Sequence, residues 1–305
     1  MDDVLCMSHG AMRNMKGIQR SFKLKDDNIE EPETYLGARL SKMLTANGTK
    51  CWSMSSEAYY KADVNNIETN LRDEGRRLPS NCDTLMRLVY RPELDKSPEL
   101  KADGLQYYQE LIGVLCLSVE LGRVDILYEV ATMSMHLAMT RIGHLQELFR
   151  VFWYLKADPK RKLAFDPDHP MVDERQFKRY DWHEFYRGVK EAIPVDMPTL
   201  RGNSASTHCF GVVYLAVNYV YRRSQKGILI FVNRAPIIWY STIQNTIEVS
   251  TFGSEITATK NAIYYIEALR YKLRMFGVPV DGATNIFCVT RNCSDPTSML
   301  KKKHH

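Results

Sequence analysis

RRSQKGILIFVNRAPIIWYSTIQNTIEVSTFGSE, from Arg222 to Glu255, sets a basic turn, two apolar runs and an acid-bearing helix start in one fixed order. Gly227 opens the apolar run Ile228 to Val232, Asn233 to Pro236 read as a turn, and Ile237 to Tyr240 are a second run short enough to be a strand. The pair predicts a β-hairpin. Ser250 or Thr251 then caps a helix predicted over Phe252 to Phe276, which Gly277 and Pro279 end. Its apolar residues Ile256, Ile263, Ile266, Leu269 and Leu273 recur at helical spacing and are the expected buried stripe. Glu255 falls in the predicted first turn, where the helix dipole by itself favours a carboxylate on a solvated face.

Upstream, the apolar run Cys209 to Val217 is expected to be a further strand of the same domain. Before it, residues 166–202 are polar and carry Pro167, Pro170, Pro194 and Pro198, which reads as a linker between a domain over residues 1–165 and another over 203–305. Phe177, Trp182, Phe185 and Tyr186 within it could dock on a neighbouring domain or stack on nucleic-acid bases. Three helical segments precede the linker, Leu105 to Leu121, Asp125 to Met139 and His144 to Ala157, each with an apolar stripe wide enough to bury. Earlier still come a short strand, Val4 to Met7, a helix from Met12 to Leu24 and a strand from Tyr35 to Met43. Asn47-Gly48 marks a hairpin turn into Lys50 to Met54, a helix runs from Glu57 to Leu71 and stops at Gly75, and Lys162 to Phe165 make a strand. These elements alone predict a mixed chain, α+β or α/β, of two domains.

Composition narrows the class. The 305 residues are 45% hydrophobic and 25% charged, which is globular rather than disordered. No apolar run is long enough to span a bilayer and the start, MDDVLCMSHG, has no signal-peptide pattern, so an intracellular protein, cytoplasmic or nuclear and off the membrane, is expected. Seven cysteines without a C-x-x-C pair argue against a disulfide framework and a zinc site, and the histidines carry no ligand spacing. The formal charge of +5 is compatible with a polyanionic partner. Arg222 with Arg223, Lys160 to Lys162, Arg76 with Arg77, and Lys301 to Lys303 are the clusters that could touch phosphates, although a charge run is more often a solvated face.

The order and spacing of Trp239, Ser241, Gln244, Ser250, Glu255 and Ala258 resemble the ribonuclease H domain of copia-type retrotransposon Pol polyproteins. The resemblance implies a ribonuclease H-like mixed sheet with helices, and a site in which four carboxylates hold two Mg²⁺ ions that clamp the attacking water and the leaving oxygen of an RNA phosphodiester. Glu255 takes the place of one of these. The first family Asp lies ten residues before Arg222, Arg223 and Ser224, where this chain has Val212, Val213 and Tyr214. The third normally follows a Phe-Cys pair, kept as Phe287 and Cys288, but Val289 comes next. The fourth would lie beyond Lys301, Lys302, Lys303, His304 and His305, where family members continue. A buried valine contributes about 1.5–3 kcal/mol, so the fold is expected to tolerate a change that the chemistry does not.

Asp2 and Asp3, after Met1 and before Val4, resemble the end of the reverse transcriptase motif Tyr-X-Asp-Asp, whose carboxylates serve a second two-metal centre. The Tyr, the fingers and the upstream palm strand are absent. The phrases YQELIG (Tyr108 to Gly113), GRVDI (Gly122 to Ile126) and WYLK (Trp153 to Lys156) also resemble the copia-type text between polymerase and ribonuclease H. The resemblance therefore implies a palm end, thumb and connection, then an incomplete ribonuclease H-like domain: a truncated, degenerate Pol fragment that is no longer an enzyme. In the intact protein the implied partners are RNA–DNA hybrid or template nucleic acid and other Pol or Gag products of the element, with Asp2, Asp3 and Glu255 as remnants of the Mg sites. Two other readings stand beside it: a binding module that holds nucleic acid through Arg222, Arg223 and the C-terminal lysines, and a subunit active only with a complete Pol partner.

Overall fold

A computed structural model describes residues 6, 10–22, 29, 31–78, 84–88, 90–171, 187, 193–215 and 217–290. They form two compact units: residues 1–90 with 97–164, and residues 91–96 with 165–305.

The first unit begins with α1 (Ala11–Ser21) and a small sheet of β1 (Thr34–Tyr35), β2 (Ala38–Leu44), β3 (Lys50–Ser55) and β4 (Leu163–Phe165), in that spatial order. The strand expected over Tyr35 to Met43 is broken by a tight hairpin, because Leu36 and Gly37 both adopt positive φ, 51° and 85°. Glycine is at ease there and leucine is not, so the sequence carries only half of the usual turn signal. The Asn47-Gly48 turn forms as expected, and β2 pairs antiparallel with β3 from Arg39 opposite Ser55 to Leu44 opposite Lys50.

Helices α2 (Glu57–Asp73), α3 (Ala102–Glu120), α4 (Leu127–Met133) and α5 (Ile142–Ala157) bury Tyr60, Val64, Ile67, Tyr108, Leu111, Leu115, Leu148, Phe152 and Leu155. The helix expected from Asp125 to Met139 is shorter. Only α4 is α-helical, flanked by 3₁₀ turns at Val124–Ile126 and Ser134–His136. Thr132, Ser134 and Thr140 each donate to the carbonyl four residues back, at 2.8, 2.7 and 2.6 Å, but Ser118 does the same within the unbroken α3, so these bonds do not by themselves end the helix.

Two charges buried in this unit are each paired with a more exposed partner. Arg123, 1% exposed, donates twice to Asp125 at 2.9 Å, to the Tyr60 hydroxyl at 3.0 Å and to the Asp158 carbonyl at 3.1 Å. Glu147 receives the Arg87 guanidinium and, at 3.0 Å, the Arg87 backbone N–H. His144 caps its own helix: its Nδ1 accepts from the Arg141 N–H at 3.1 Å.

The second unit is built on β5 (Thr207–Tyr214), β6 (Gln225–Val232), β7 (Ala235–Ile243), α6 (Thr251–Met275) and β8 (Asn285–Thr290). The spatial order is β7-β6-β5-β8, with β5, β6 and β7 antiparallel in sequence and β8 parallel to β5. A parallel neighbour requires a crossover, and α6 lies on that connection. Cys209, Ile228 and Ile230 meet Ala262, Ile266 and Leu269 in the core between sheet and helix.

Two sequence expectations are corrected in this unit. The hairpin turn is confined to Asn233 and Arg234, with Asn233 at φ 54°, and Pro236 lies inside β7 opposite Phe231 at a bulge. A proline is tolerated because β7 is an edge strand. The stripe that α6 buries is Ser254, Ala258, Ala262, Ile266 and Leu269, while Ile256 and Ile263 are 52% and 41% exposed. Close approach of helix to sheet selects small side chains over large apolar ones.

Candidate functional site

The start of α6 is fixed by a buried, uncharged polar cluster. Ser250 is the N-cap, its Oγ accepting from the Gly253 N–H at 3.1 Å. One turn on, Ser254 Oγ lies 3.0 Å from Ser224 Oγ, and its carbonyl accepts from Gln244 Nε2 at 2.8 Å. The Gln244 N–H closes the circuit by donating to the Ser224 carbonyl at 2.7 Å. Ser224, Gln244 and Ser254 are all fully enclosed. Sequence motifs at Ser224, Gln244 and Ser250 thus tie the edges of the hairpin to the helix that follows it; Ser254 had no such signal.

Ser250 as cap places Glu255 beyond the first turn of α6, which contains no acidic residue. The helix dipole fades within the first turn, so it does not account for this carboxylate. Glu255 is half-buried and lines a small hollow between α6 and the sheet. Gly211 and Val213 enter it from β5, Ile286 and Cys288 from β8, and Ala258, Thr259 and Ala262 from α6. Thr259 Oγ1 is 3.5 Å from Cys288 Sγ. Beneath, Cys209 is fully buried and its thiol is pushed up to about 12, mainly by burial.

Counting along the sequence had put Val212 where the first metal-binding Asp belongs. Gly211 and Val213 face α6, and strand alternation turns Val212 to the opposite face, so the residue beside Glu255 is Val213. On β8 the corresponding lining residue is Cys288; Val289 is paired with Val212 through the backbone.

Mg²⁺ demands hard oxygen ligands in near-octahedral geometry, and a two-ion site needs several carboxylates converging on one point. The described lining residues offer one, with a single neutral hydroxyl, that of Thr259, among glycine, valine, alanine, isoleucine and a thiol. Among the described residues no group of three or more His, Cys, Asp and Glu is placed to hold a metal ion. This donor set does not fit two Mg²⁺ ions. Asp2 and Asp3 lie outside the described residues, as do Val4, Phe177, Trp182, Phe185, Tyr186 and Lys301 to His305.

Arg222 and Arg223 are brought to the surface by the connection from β5 to β6. Asn218, 7% exposed, organises it: its Oδ1 accepts from the N–H groups of Val220 and Tyr221 at 3.1 and 2.7 Å, its carbonyl accepts from Arg222, and its N–H donates to the Arg223 carbonyl. Arg222 adopts φ 54°. Tyr219, Val220 and Tyr221 are left 53%, 54% and 64% exposed, and the Arg91 guanidinium sits 5.0 Å from the Tyr219 ring. Sequence reasoning named the two arginines and missed the tyrosines beside them, although Tyr-Val-Tyr-Arg-Arg was there to be read.

A histidine without ligand spacing also proved informative. His208 is buried, stacks on Phe231 with ring centroids 5.0 Å apart, and its Nδ1 has no hydrogen-bond partner. Burial holds its pKa below the ordinary histidine range. It lines a polar cleft with His169, Ser206, Asp281 and Asn285 at the start of β5 and β8.

Among the described residues no helix is long and apolar enough to cross a membrane. No family model matches the chain, and no curated protein or solved structure matches it either.

Proposed function

We propose that the chain is a degenerate fragment of a copia-type retrotransposon Pol protein, in which a ribonuclease H-like domain keeps its scaffold and has lost its chemistry. What supports this reading is the strand order β7-β6-β5-β8, antiparallel through the hairpins and parallel at β8, with Glu255 of α6 beside the central strand. Such a mixed sheet with a helix on its crossover is compatible with the ribonuclease H-like domain that the resemblance implies. The flanking Val213 and Cys288 supply none of the oxygen ligands that the two-metal reaction needs. The polymerase half of the proposal rests on the sequence alone, since Asp2 and Asp3 are outside the described residues.

Incubation of the full chain with a labelled RNA–DNA hybrid in Mg²⁺ or Mn²⁺ tests the loss of activity. No cleavage above a protein-free control is expected; cleavage that disappears in Glu255→Gln would overturn it. Mixing with a complete Pol protein tests the subunit alternative, for which cleavage must appear on mixing and depend on Glu255.

A second reading is favoured by one observation: Arg91, Arg222 and Arg223 have no ion-pair partner among the described residues. Unpaired surface arginines are available to phosphates, so the fragment is also a candidate non-catalytic nucleic-acid-binding module. Binding that weakens steeply between low and moderate salt is the expected signature.

A further inference from the structure

We infer that the connection between β5 and β6 is a platform for single-stranded nucleic acid, with Tyr219 and Tyr221 stacking on bases and Arg91, Arg222 and Arg223 holding phosphates. The inference rests on the nucleic-acid-binding reading above and names the strand state and the residues.

Exposed apolar side chains are ordinary on a mobile loop, but this loop is held. The Asn218 side chain and backbone make hydrogen bonds to four successive residues from Val220 to Arg223, and the Tyr219 N–H donates to Glu93 Oε1 at 3.0 Å. Anchored backbone therefore carries exposed rings. Burying Asn218 fixes the direction in which Tyr219 and Tyr221 are offered, and the left-handed conformation of Arg222 turns the chain before it enters β6 at Gln225.

Charge selects the ligand. Arg222 and Arg223 are exposed within the loop and Arg91 lies against its Tyr219 ring, while Glu93 accepts the Tyr219 backbone N–H. The surplus is positive and suits phosphates. Aromatic faces suit bases only where those bases are unstacked, because in a duplex both faces of each base are occupied by its neighbours. A basic patch without rings would take duplex and single strand alike; rings interleaved with arginines favour the single strand.

The test is fluorescence anisotropy of the full chain with a labelled oligo-dT single strand, the matching duplex and an RNA–DNA hybrid at several salt concentrations. The single strand is expected to bind at least several-fold more tightly than either duplex. Y219A/Y221A is expected to weaken single-strand binding roughly tenfold or more with little effect on duplex binding. R222A/R223A is expected to weaken both and to reduce the salt slope by about 1.4 for the single strand and about 1.8 for the DNA duplex. Tyr264→Ala, on the exposed side of α6, is the control and should change nothing, and circular dichroism establishes that each variant is folded. Hybrid binding without single-strand preference, unaltered by the tyrosine changes, would overturn the platform and leave the wider reading intact. Absence of binding to any nucleic acid would remove both. Concentration-dependent self-association abolished by Y219A/Y221A, without nucleic-acid binding, would instead assign the loop to contacts between copies of this chain.

Discussion

The helical unit and the sheet unit differ in how they satisfy their buried polar groups. Around Arg123 the first unit encloses a full charge and surrounds it with Asp125, Tyr60 and the Asp158 carbonyl; around Glu147 it does the same with Arg87. The sheet unit joins helix to hairpin with Ser224, Gln244 and Ser254, all uncharged, gives its buried Arg270 the Thr207 and Thr284 hydroxyls and the Gly282 carbonyl, and leaves Glu255 at a hollow lined mostly by apolar groups. Buried ions persist where every donor meets an acceptor, since an ion stripped of its partner costs several kcal/mol. Clustered carboxylates without a metal repel one another, so a site that loses its ions gains stability by losing its acids. The first unit thus keeps Arg123 and Glu147 enclosed with their partners, and the hollow of the second offers one carboxylate, Glu255.

The sharpest break would come at Arg123. Replacement by Met should destabilise the first unit by about 3 kcal/mol, the low end for a broken buried pair, because the Tyr60 hydroxyl and the Asp158 carbonyl lose their donor while the partly exposed Asp125 keeps Tyr154 and Arg161; a loss under about 1 kcal/mol in denaturant unfolding would show that the pairing is incidental. Next is Glu129, whose Oε2 is enclosed without a partner and whose carboxyl burial pushes up to about 7 from 4.5. A folded pKa above the unfolded one gives a contribution that is full below about pH 4.5 and lost as pH rises through about 7. Glu129→Gln should flatten that dependence and stabilise the protein at pH 8 by up to roughly 3 kcal/mol. An unchanged pH profile would place the carboxyl in water.

Smaller effects are expected in the sheet unit. Ser254→Ala should cost about 1–2 kcal/mol, since Ser224 loses a buried hydroxyl partner. Glu255→Gln should change stability by no more than about 0.5 kcal/mol, as for most partly exposed positions, and leave hybrid cleavage at background. A large loss of stability there would make Glu255 part of the scaffold and erase the contrast between the two units.

Much of this fold was legible. The Asn47-Gly48 turn, the hairpin of β6 and β7, the Ser250 cap and the end of α6 before Gly277 follow from turn chemistry and periodicity that act within a few residues. Legibility failed where neighbours decided. Ile256 and Ile263 outrank Ala258 and Ala262 in hydrophobicity, yet the narrow gap between α6 and the sheet admits the alanines and leaves the isoleucines outside. The Leu36-Gly37 turn was unreadable because leucine rarely accepts positive φ, and the segment after Asp125 keeps helical spacing of its apolar residues although its ends are 3₁₀.

By itself the sequence determined the order of elements from Arg222 to Glu255, the expectation of two domains and the presence of Val212, Val213 and Val289, since caps, turns and residue identities are local properties. Only the tertiary structure decided that Val213 rather than Val212 stands beside Glu255, that Ser254 completes the buried cluster, and that Tyr219 and Tyr221 are offered on a loop anchored by Asn218. Each depends on which face of a strand or helix meets its neighbour, and a strand facing changes with a single residue of register.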